Sequence, residues 1–334
     1  MTTVREDWLA KTQEEVLEPE LAICDPHHHL WERPDSRYLL DELLSDTRDG
    51  GHNITETVFV ECSAMYRKDG PAVMASVGEV EFVQGIAAQS ASGIYGDARL
   101  AAGIIGFADL SAGVSVREVL EAHISASRDR FRGIRHASVW DASPALTSYK
   151  KPREGMLGDA KFREGFAELG NLGLSYEAWL YHPQLMELVD LANAFPNVPI
   201  VLDHIGGPIG IGTYEGRNDE VMAKWKAGIT ALSACPNVVV KVGGFGMTLG
   251  GFGWHEREVP AGSAELAQAM GPWYLHCIEE FGVDRCMFES NFPVDKQSVS
   301  YTVLWNMFKR IAEGFSDDEK AALFRGTALR TYRI

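Results

Sequence analysis

Short apolar, β-branched runs recur along the chain and alternate with longer stretches in which alanine, leucine and glutamate fall at helical spacing. The runs are LAICD (21–25), ETVFVEC (56–62), LAAGIIGFADL (100–110) and FRGIRHA (131–137). They continue as GLSYEAWL (173–180), VPIVLDH (198–204), NVVVKVGG (237–244) and RCMFESN (285–291). Most are apolar on both faces, as parallel strands covered by helices are. Helix-like stretches follow at 71–91, 116–129, 159–172, 183–196, 219–235, 263–282 and 300–314. Repeated strand–helix alternation at this length predicts a (β/α)8 TIM barrel in the α/β class, as a single domain over 21–334. A doubly wound sheet is the runner-up, but no G-x-G-x-x-G follows the first strand. Residues 1–20 read as a helical lead-in. The segment 245–262, FGMTLGGFGWHEREVPAG, reads as a long loop after strand seven, either a lid or pocket wall or a plain insertion.

Composition narrows the function classes. The chain has 334 residues, is 46% hydrophobic and carries a formal net charge of −16. That field repels phosphate backbones and argues against a nucleic-acid partner, though not against a small anionic substrate held by a local arginine or metal. No run is long enough to span a bilayer, and the charged N-terminus has no apolar signal region. Five cysteines, Cys24, Cys62, Cys235, Cys277 and Cys286, lack CxxC spacing and read as reduced thiols of a cytoplasmic protein. Cys24 and Cys62 are expected to be small buried apolar residues. Barrels of this size often self-associate, so a homo-oligomer is expected, with a small molecule as the other partner.

Chemistry in such a barrel sits at the carboxyl ends of the strands. Polar and ionisable residues crowd those ends here: Asp25, His27 and His29; Glu61; Asp109; Arg135 and His136; Glu177 and His182; Asp203 and His204; Lys241; Glu289, Asn291 and Asp295. In an extended segment Asp25, His27 and His29 share one face and His28 points the other way. Two imidazoles two residues apart can bind one divalent ion or grip one ligand. His28 is then a packing residue.

The same alternation places Glu289 one layer beneath Asn291, where a carboxylate must be paired or protonated, with Lys241 or a metal as its partner. It turns His204 inward with Leu202 and Asp203 toward the helices. Arg135 either clamps a substrate carboxylate or forms a structural ion pair, and His136 points away. Trp179 shares a face with Glu177 and reads as pocket wall. His182, at the start of the next helix, fits either a binding or a structural role.

The ordered set DPHHHLW, FRGIRH, LYHPQL, VLDHIGGP, NVVVKVGGFGM and CMFESNFPVDK resembles the amidohydrolase-2 branch of the amidohydrolase superfamily. The likeness is greatest to its sugar-lactone and 2-pyrone-4,6-dicarboxylate lactonase-like barrel hydrolases, and it runs from about residue 20 to the C-terminal ALFRGTALRTYRI. It implies a barrel that hydrolyses a lactone ring, or more broadly a C–O or C–C bond next to a carboxylate, with His27 and His29 as the H-x-H pair, His204 as the strand-six histidine and Arg135 as the strand-four arginine. It also implies an aspartate at the strand-eight position, where this chain has Asn291. An amide is no general base and a poorer metal ligand. Either the base has moved to Glu289, Asp295, Glu61 or Glu177, or the chemistry differs.

The leading expectation is hydrolysis of a lactone or similar cyclic ester of a small, carboxylated or sugar-derived molecule. His27, His29 and His204 polarise the carbonyl or bind the oxyanion, with or without one divalent ion (zinc) on His27 and His29. Arg135 and Lys241 hold substrate groups, Glu61, Glu177, Trp179 and His182 complete the binding site, and one of Glu289, Asp295 or Glu61 takes the proton. A metal-dependent non-oxidative decarboxylase of an aromatic or enoic acid is the alternative within the fold. A barrel that has lost catalysis and only binds, with Asn291 as the scar, is the alternative outside enzymes.

Overall fold

The computed structural model describes residues 4–146 and 152–334. Eight parallel strands lie in sequence order in one sheet: β1 (Ile23–His28), β2 (Ile54–Val60), β3 (Arg99–Gly106) and β4 (Phe131–Arg135), then β5 (Ser175–Ala178), β6 (Ile200–Leu202), β7 (Val238–Val242) and β8 (Cys286–Phe288). Just past β8 the chain returns to β1. The Asn291 N–H donates to the His27 carbonyl at 2.9 Å, and the His29 N–H donates to Phe292 at 2.8 Å. These two bonds close the cylinder. Every expected strand is present.

Each strand leads into a helix: α1 (Leu40–Thr47), α2 (Val77–Ala91), α3 (Val116–Ala126), α4 (Ala160–Leu172), α5 (Leu185–Ala194), α6 (Asn218–Ser233), α7 (Ser263–Phe281) and α8 (Tyr301–Ile311). Local signals set their ends. The Asp159 carboxylate accepts the Phe162 N–H at 3.0 Å as the N-cap of α4, and Gly173 ends that helix with φ 66°. The short α1 and a terminal helix at Thr327–Tyr332 were not anticipated. The expected helical lead-in is a single turn, Glu6–Leu9, and its residues 1–3 lie outside the described residues. No helix among the described residues is long and apolar enough to cross a membrane.

The core has two parts. Strand faces turned outward pack Ile104, Phe131, Ile134, Tyr176, Leu202, Val240 and Phe288 against the helix ring. Inside the barrel, a lower layer of Cys24, Val58, Val60, Ile105, Val201 and Met287 is stoppered by Ala328 and Tyr332 of the terminal helix. Above that apolar layer the interior turns polar.

Candidate active site

The polar layer is built from alternate residues of four strands. Glu177, Lys241, Asp203 and His27 are all 0% exposed. Lys241 Nζ lies 2.6 Å from Glu177 Oε2, 3.4 Å from Asp203 Oδ1 and 3.3 Å from His27 Nδ1. The Tyr332 hydroxyl donates to the other Glu177 oxygen at 2.7 Å. Burial opposes ionisation of Asp203, but Lys241 and His27 outweigh it and hold the carboxyl well below its usual range. Burial also pushes the Glu177 carboxyl up, against the pull of Lys241.

Two local distortions shape this layer, and both correct the strict alternation expected from the sequence. A register shift between Asp25 and His28 bulges β1, so Asp25 leaves the face of His27 and binds outside the barrel. There it accepts the Ser290 hydroxyl at 2.6 Å and the Tyr301 hydroxyl at 3.0 Å. On β6 it is Val201 and Asp203 that face inward. His204 reaches the site because its φ is 54°, and Ile205 follows at 49°; a non-glycine residue there is strained, and such strain clusters at functional sites. Asp203, expected to face the helices, therefore belongs to the site.

Glu289 carries the next connection. His204 Nδ1 lies 2.7 Å from Glu289 Oε1, and the His204 backbone N–H donates to the same oxygen at 3.1 Å. Its other oxygen, Oε2, stands 2.8 Å from His27 Nδ1. The partners of Glu289 are thus two imidazoles, with Lys241 acting on it only through its charge. Burial works against ionisation, yet His204 and His27 pull the carboxyl down to about 2. Two glycines make room: a Cβ on Gly243 or Gly244 would collide with Glu289 or with the His204 ring. Burial, helped by Lys241, lowers His27 to about 4.

Over this layer opens a cavity of about 440 Å³, lined by His29, Glu61, Arg135, Trp179, His204 and Asn291 among others. His29 Nδ1 lies 2.7 Å from the Val60 carbonyl and donates to it, which leaves Nε2 as the acceptor. Burial and the neighbouring His27 and Arg135 push its basicity well down. Arg135 is held by Glu61 Oε1 at 3.1 Å, the Glu61 carbonyl at 2.6 Å and Asp203 Oδ2 at 3.4 Å, and it donates to His27 Nε2 at 3.2 Å. Trp179 stands edge-on to His204 with ring centroids 4.7 Å apart. Asn291, at φ 55°, donates through Nδ2 to Asp295 Oδ1 at 2.9 Å, and the Gly246 N–H donates to Oδ2 at 3.1 Å. Burial raises the Asp295 carboxyl to about 7.

Other expected site residues lie elsewhere. Glu177 and Lys241 are beneath the cavity and form none of its wall. His182 sits behind the wall, where Nδ1 faces the Ile209 N–H at 3.4 Å and the ring packs on Tyr214. Asp109 is exposed and caps a turn by accepting the Ser111 N–H at 2.9 Å. His28 turns away toward the Thr57 hydroxyl, 2.9 Å from its Nε2. The 245–262 loop supplies Met247, Thr248 and Leu249 to the cavity wall.

Among the described residues, the donor set able to hold a metal ion is His27, His204 and Glu289, whose ligand atoms lie within 4.8 Å of one another. His29, the expected partner of His27, lies beside this set: the two rings meet edge-on at 5.0 Å, and the bond from His29 Nδ1 to Val60 leaves its Nε2 as an acceptor. The set fits a divalent cation on two counts. Glu289 Oε2 and Asp203 Oδ1 are buried and make no regular hydrogen bond; they have only ionic contacts, Oε2 with His27 Nδ1 at 2.8 Å and Oδ1 with His27 Nδ1 at 3.6 Å and Lys241 Nζ at 3.4 Å. Even with Glu177 protonated, three buried carboxylates (Glu61, Asp203, Glu289) face two cations, Arg135 and Lys241, and a buried surplus of negative charge is costly unless a cation balances it. Two imidazoles and one carboxylate suit zinc.

Residues 24–334 match the family model described as Amidohydrolase. The protein y4mH of Sinorhizobium fredii is 32% identical over 340 residues, which cover 94% of this chain and 99% of that protein. An L-fucono-1,5-lactonase of Burkholderia multivorans is 29% identical over 177 residues, 53% of this chain and 57% of that enzyme. The crystal structure of a Burkholderia multivorans amidohydrolase with bound zinc superposes with a TM-score of 0.71 at 24% identity, covering 94% of this chain and 99% of its own.

Proposed function

The chain belongs to the amidohydrolase family, and from that membership we propose that it opens a lactone or related cyclic ester of a small, carboxylated or sugar-derived molecule. The observation that carries the reading is Glu289 joining His27 and His204 directly under a cavity of small-molecule size. The lactonase relative supports the substrate class, and the zinc-bound relative supports a divalent ion.

His27, His204 and Glu289 would hold that ion, which when bound supplies polarisation of the ester carbonyl and makes water easier to deprotonate. The chain's own residues do the rest. Trp179 and Tyr181 wall the ring in and exclude water. Arg135 aims a fixed guanidinium at the negative charge that grows on the carbonyl oxygen.

Among the carboxylates we take Asp295 as the base: it lies behind the cavity wall, and Asn291, which lines the cavity, connects to its Oδ1 at 2.9 Å. Glu289 is engaged on both oxygens, by His204 and by His27, whereas Asp295, raised by burial to about 7, is poised to accept a proton near neutrality. Glu61 is tied to Arg135, and Glu177 lies below the cavity with Lys241. Water loses a proton to Asp295, beside the cavity-lining Asn291, and its oxygen bonds the acyl carbon. The bond from that carbon to the ring oxygen then breaks, and the proton passes from Asp295 to the departing alkoxide. The product is a hydroxy acid. The acid that the family resemblance places at Asn291 thus stands four residues later in the chain.

The test is a panel of sugar and aromatic lactones assayed with added zinc. Turnover of at least one lactone, lowered by about 10²-fold or more in Asp295→Asn, is the expected result. Release of carbon dioxide from aromatic acids with no lactone opened contradicts it.

A further inference from the structure

The 245–262 loop after β7 is bound along its second half by the chain's own N-terminal segment, and the two run in parallel order. Arg5 donates to the His255 carbonyl, Trp8 Nε1–H to the Arg257 carbonyl at 2.9 Å, and Lys11 Nζ to the Glu258 carbonyl at 3.2 Å. The Thr12 hydroxyl donates to the Pro260 carbonyl at 2.8 Å. Where the loop becomes α7, Glu14 accepts the Ser263 N–H at 2.7 Å. Trp8 is buried, and the Arg5 guanidinium lies 4.2 Å above its ring. Ordering five side chains against one loop costs rotamer freedom at each of them, so a tail that merely floated in solvent would not adopt this arrangement.

The same segment grips the other side of the site. Glu6 pairs with Lys296 at 2.9 Å, and Lys296 donates to Asp46 at 2.8 Å. Lys296 directly follows Asp295, so both segments that hold Asp295 are tied to the N-terminal one. From the loop, the Gly246 N–H donates to Asp295 Oδ2 at 3.1 Å, and the Gly246 carbonyl accepts the Ser298 hydroxyl at 2.7 Å. A Cβ on Gly246 would come within 2.9 Å of Asp295 Oδ2, so the loop backbone lies directly against the carboxyl group. Val4 completes the bridge, lining the cavity together with Met247 of the loop and Val294 after β8.

We propose that residues 4–14 are a strap that positions Asp295: by tying the β7–α7 loop to the segment after β8, they keep the Gly246 amide on its carboxyl group and the loop closed against the cavity. Trp8, Thr12 and Glu14 form no part of the cavity wall; they act through the loop and are positioning residues. The inference rests on the assignment of Asp295 as the base. A base must stand within hydrogen-bond reach of the water it deprotonates, and a displacement of about 1 Å can cost about 10²-fold in rate.

The experiment uses the double variant Trp8→Phe/Thr12→Val, which keeps an aromatic ring and a branched side chain but removes two bonds to the loop. Hydrogen exchange read by mass spectrometry should quicken in 245–262 and stay unchanged in the barrel strands. With the lactone that wild type opens best, kcat is expected to fall about tenfold while KM moves much less. In an Asp295→Asn background the same double variant should cost nothing further, because the base that the strap positions is gone. A purely structural strap would lower turnover equally in both backgrounds. Glu18→Gln, which loses the surface pair with Lys320, is the folding control and should match wild type in both measurements. Wild-type kcat in the double variant, or a loss of equal size in both backgrounds, overturns the inference and leaves the lactone reading standing. If Asp295→Asn turns over like wild type, the base assignment falls and the inference falls with it. If wild type opens no lactone, the lactone reading falls; unchanged exchange in 245–262 then removes the strap too, and quickened exchange keeps it.

Discussion

Glu289 Oε1 accepts from both the ring Nδ1 and the backbone N–H of His204, at 2.7 and 3.1 Å. One carboxylate oxygen therefore fixes the position, the tautomer and the strained backbone of a single histidine, while its twin oxygen faces His27. Glu289 thus orients one member of the proposed ligand set while belonging to that set itself, and loss of the orienting role alone commonly accounts for about 10–100-fold in metal affinity or activity. Glu289→Gln is accordingly expected to weaken zinc binding by about that factor, measured by competition with a chromogenic chelator.

The pH–rate profile should show one limb near 7, the value to which burial lifts Asp295. Activity rises as pH increases through that limb, because the base must be ionised. Asp295→Asn is expected to flatten it. Asn291→Asp, which sets a second carboxylate 2.9 Å from the first, is expected to move the limb upward, since two adjacent acids cannot both ionise freely.

The same group makes a stability prediction of opposite sense. Its folded value lies above its unfolded one, so wild type loses stability as pH rises from about 4 to 7. The melting temperature of Asp295→Asn relative to wild type should therefore increase across that interval. A constant difference would show that the carboxyl is not raised by folding.

Acid should unfold the protein through its histidines. Burial holds His27, His52, His123 and His182 at about 4 and His28 at about 3, all below the unfolded value of 6.5. Groups lowered by folding stabilise above 6.5 and lose that contribution as pH falls toward 4. Asp25, at about 6, Asp46, Glu177, Glu187 and Asp295 are raised by burial and work in the opposite direction, against six imidazoles once His29 is included. Thermal melting from pH 7 to 4 should fall steeply.

Removing Lys241 tests the buried charge layer. Lys241→Met leaves Asp203 with less compensation in a site that is 0% exposed. Breaking such a pair typically costs about 3–5 kcal/mol. Denaturant unfolding should show a loss of that order, and adding Glu177→Met should recover part of it.

Strand periodicity made the barrel legible: each of the eight runs is a strand, and His27, His29, Arg135 and Trp179 reach the same rim. What the pattern missed are the places where backbone departs from it. The bulge between Asp25 and His28 removes an acid from the expected face. The positive φ at His204 lets Asp203 and His204 both enter the site. Alternation alone cannot show either, because each depends on how β1 meets β8 and on Glu289 reaching across to β6. The adjacent glycines Gly243 and Gly244 were a signal for that reach. Tyr332, far from the other site residues in sequence, is joined to Glu177 only by packing of the terminal helix under the barrel.

The most direct test is zinc content and lactone turnover of the protein purified without chelators, beside Glu289→Gln. About one zinc per chain, turnover lost together with the metal under chelation and restored by zinc, and both impaired in the variant are the expected results. Full turnover in metal-free protein would contradict the account.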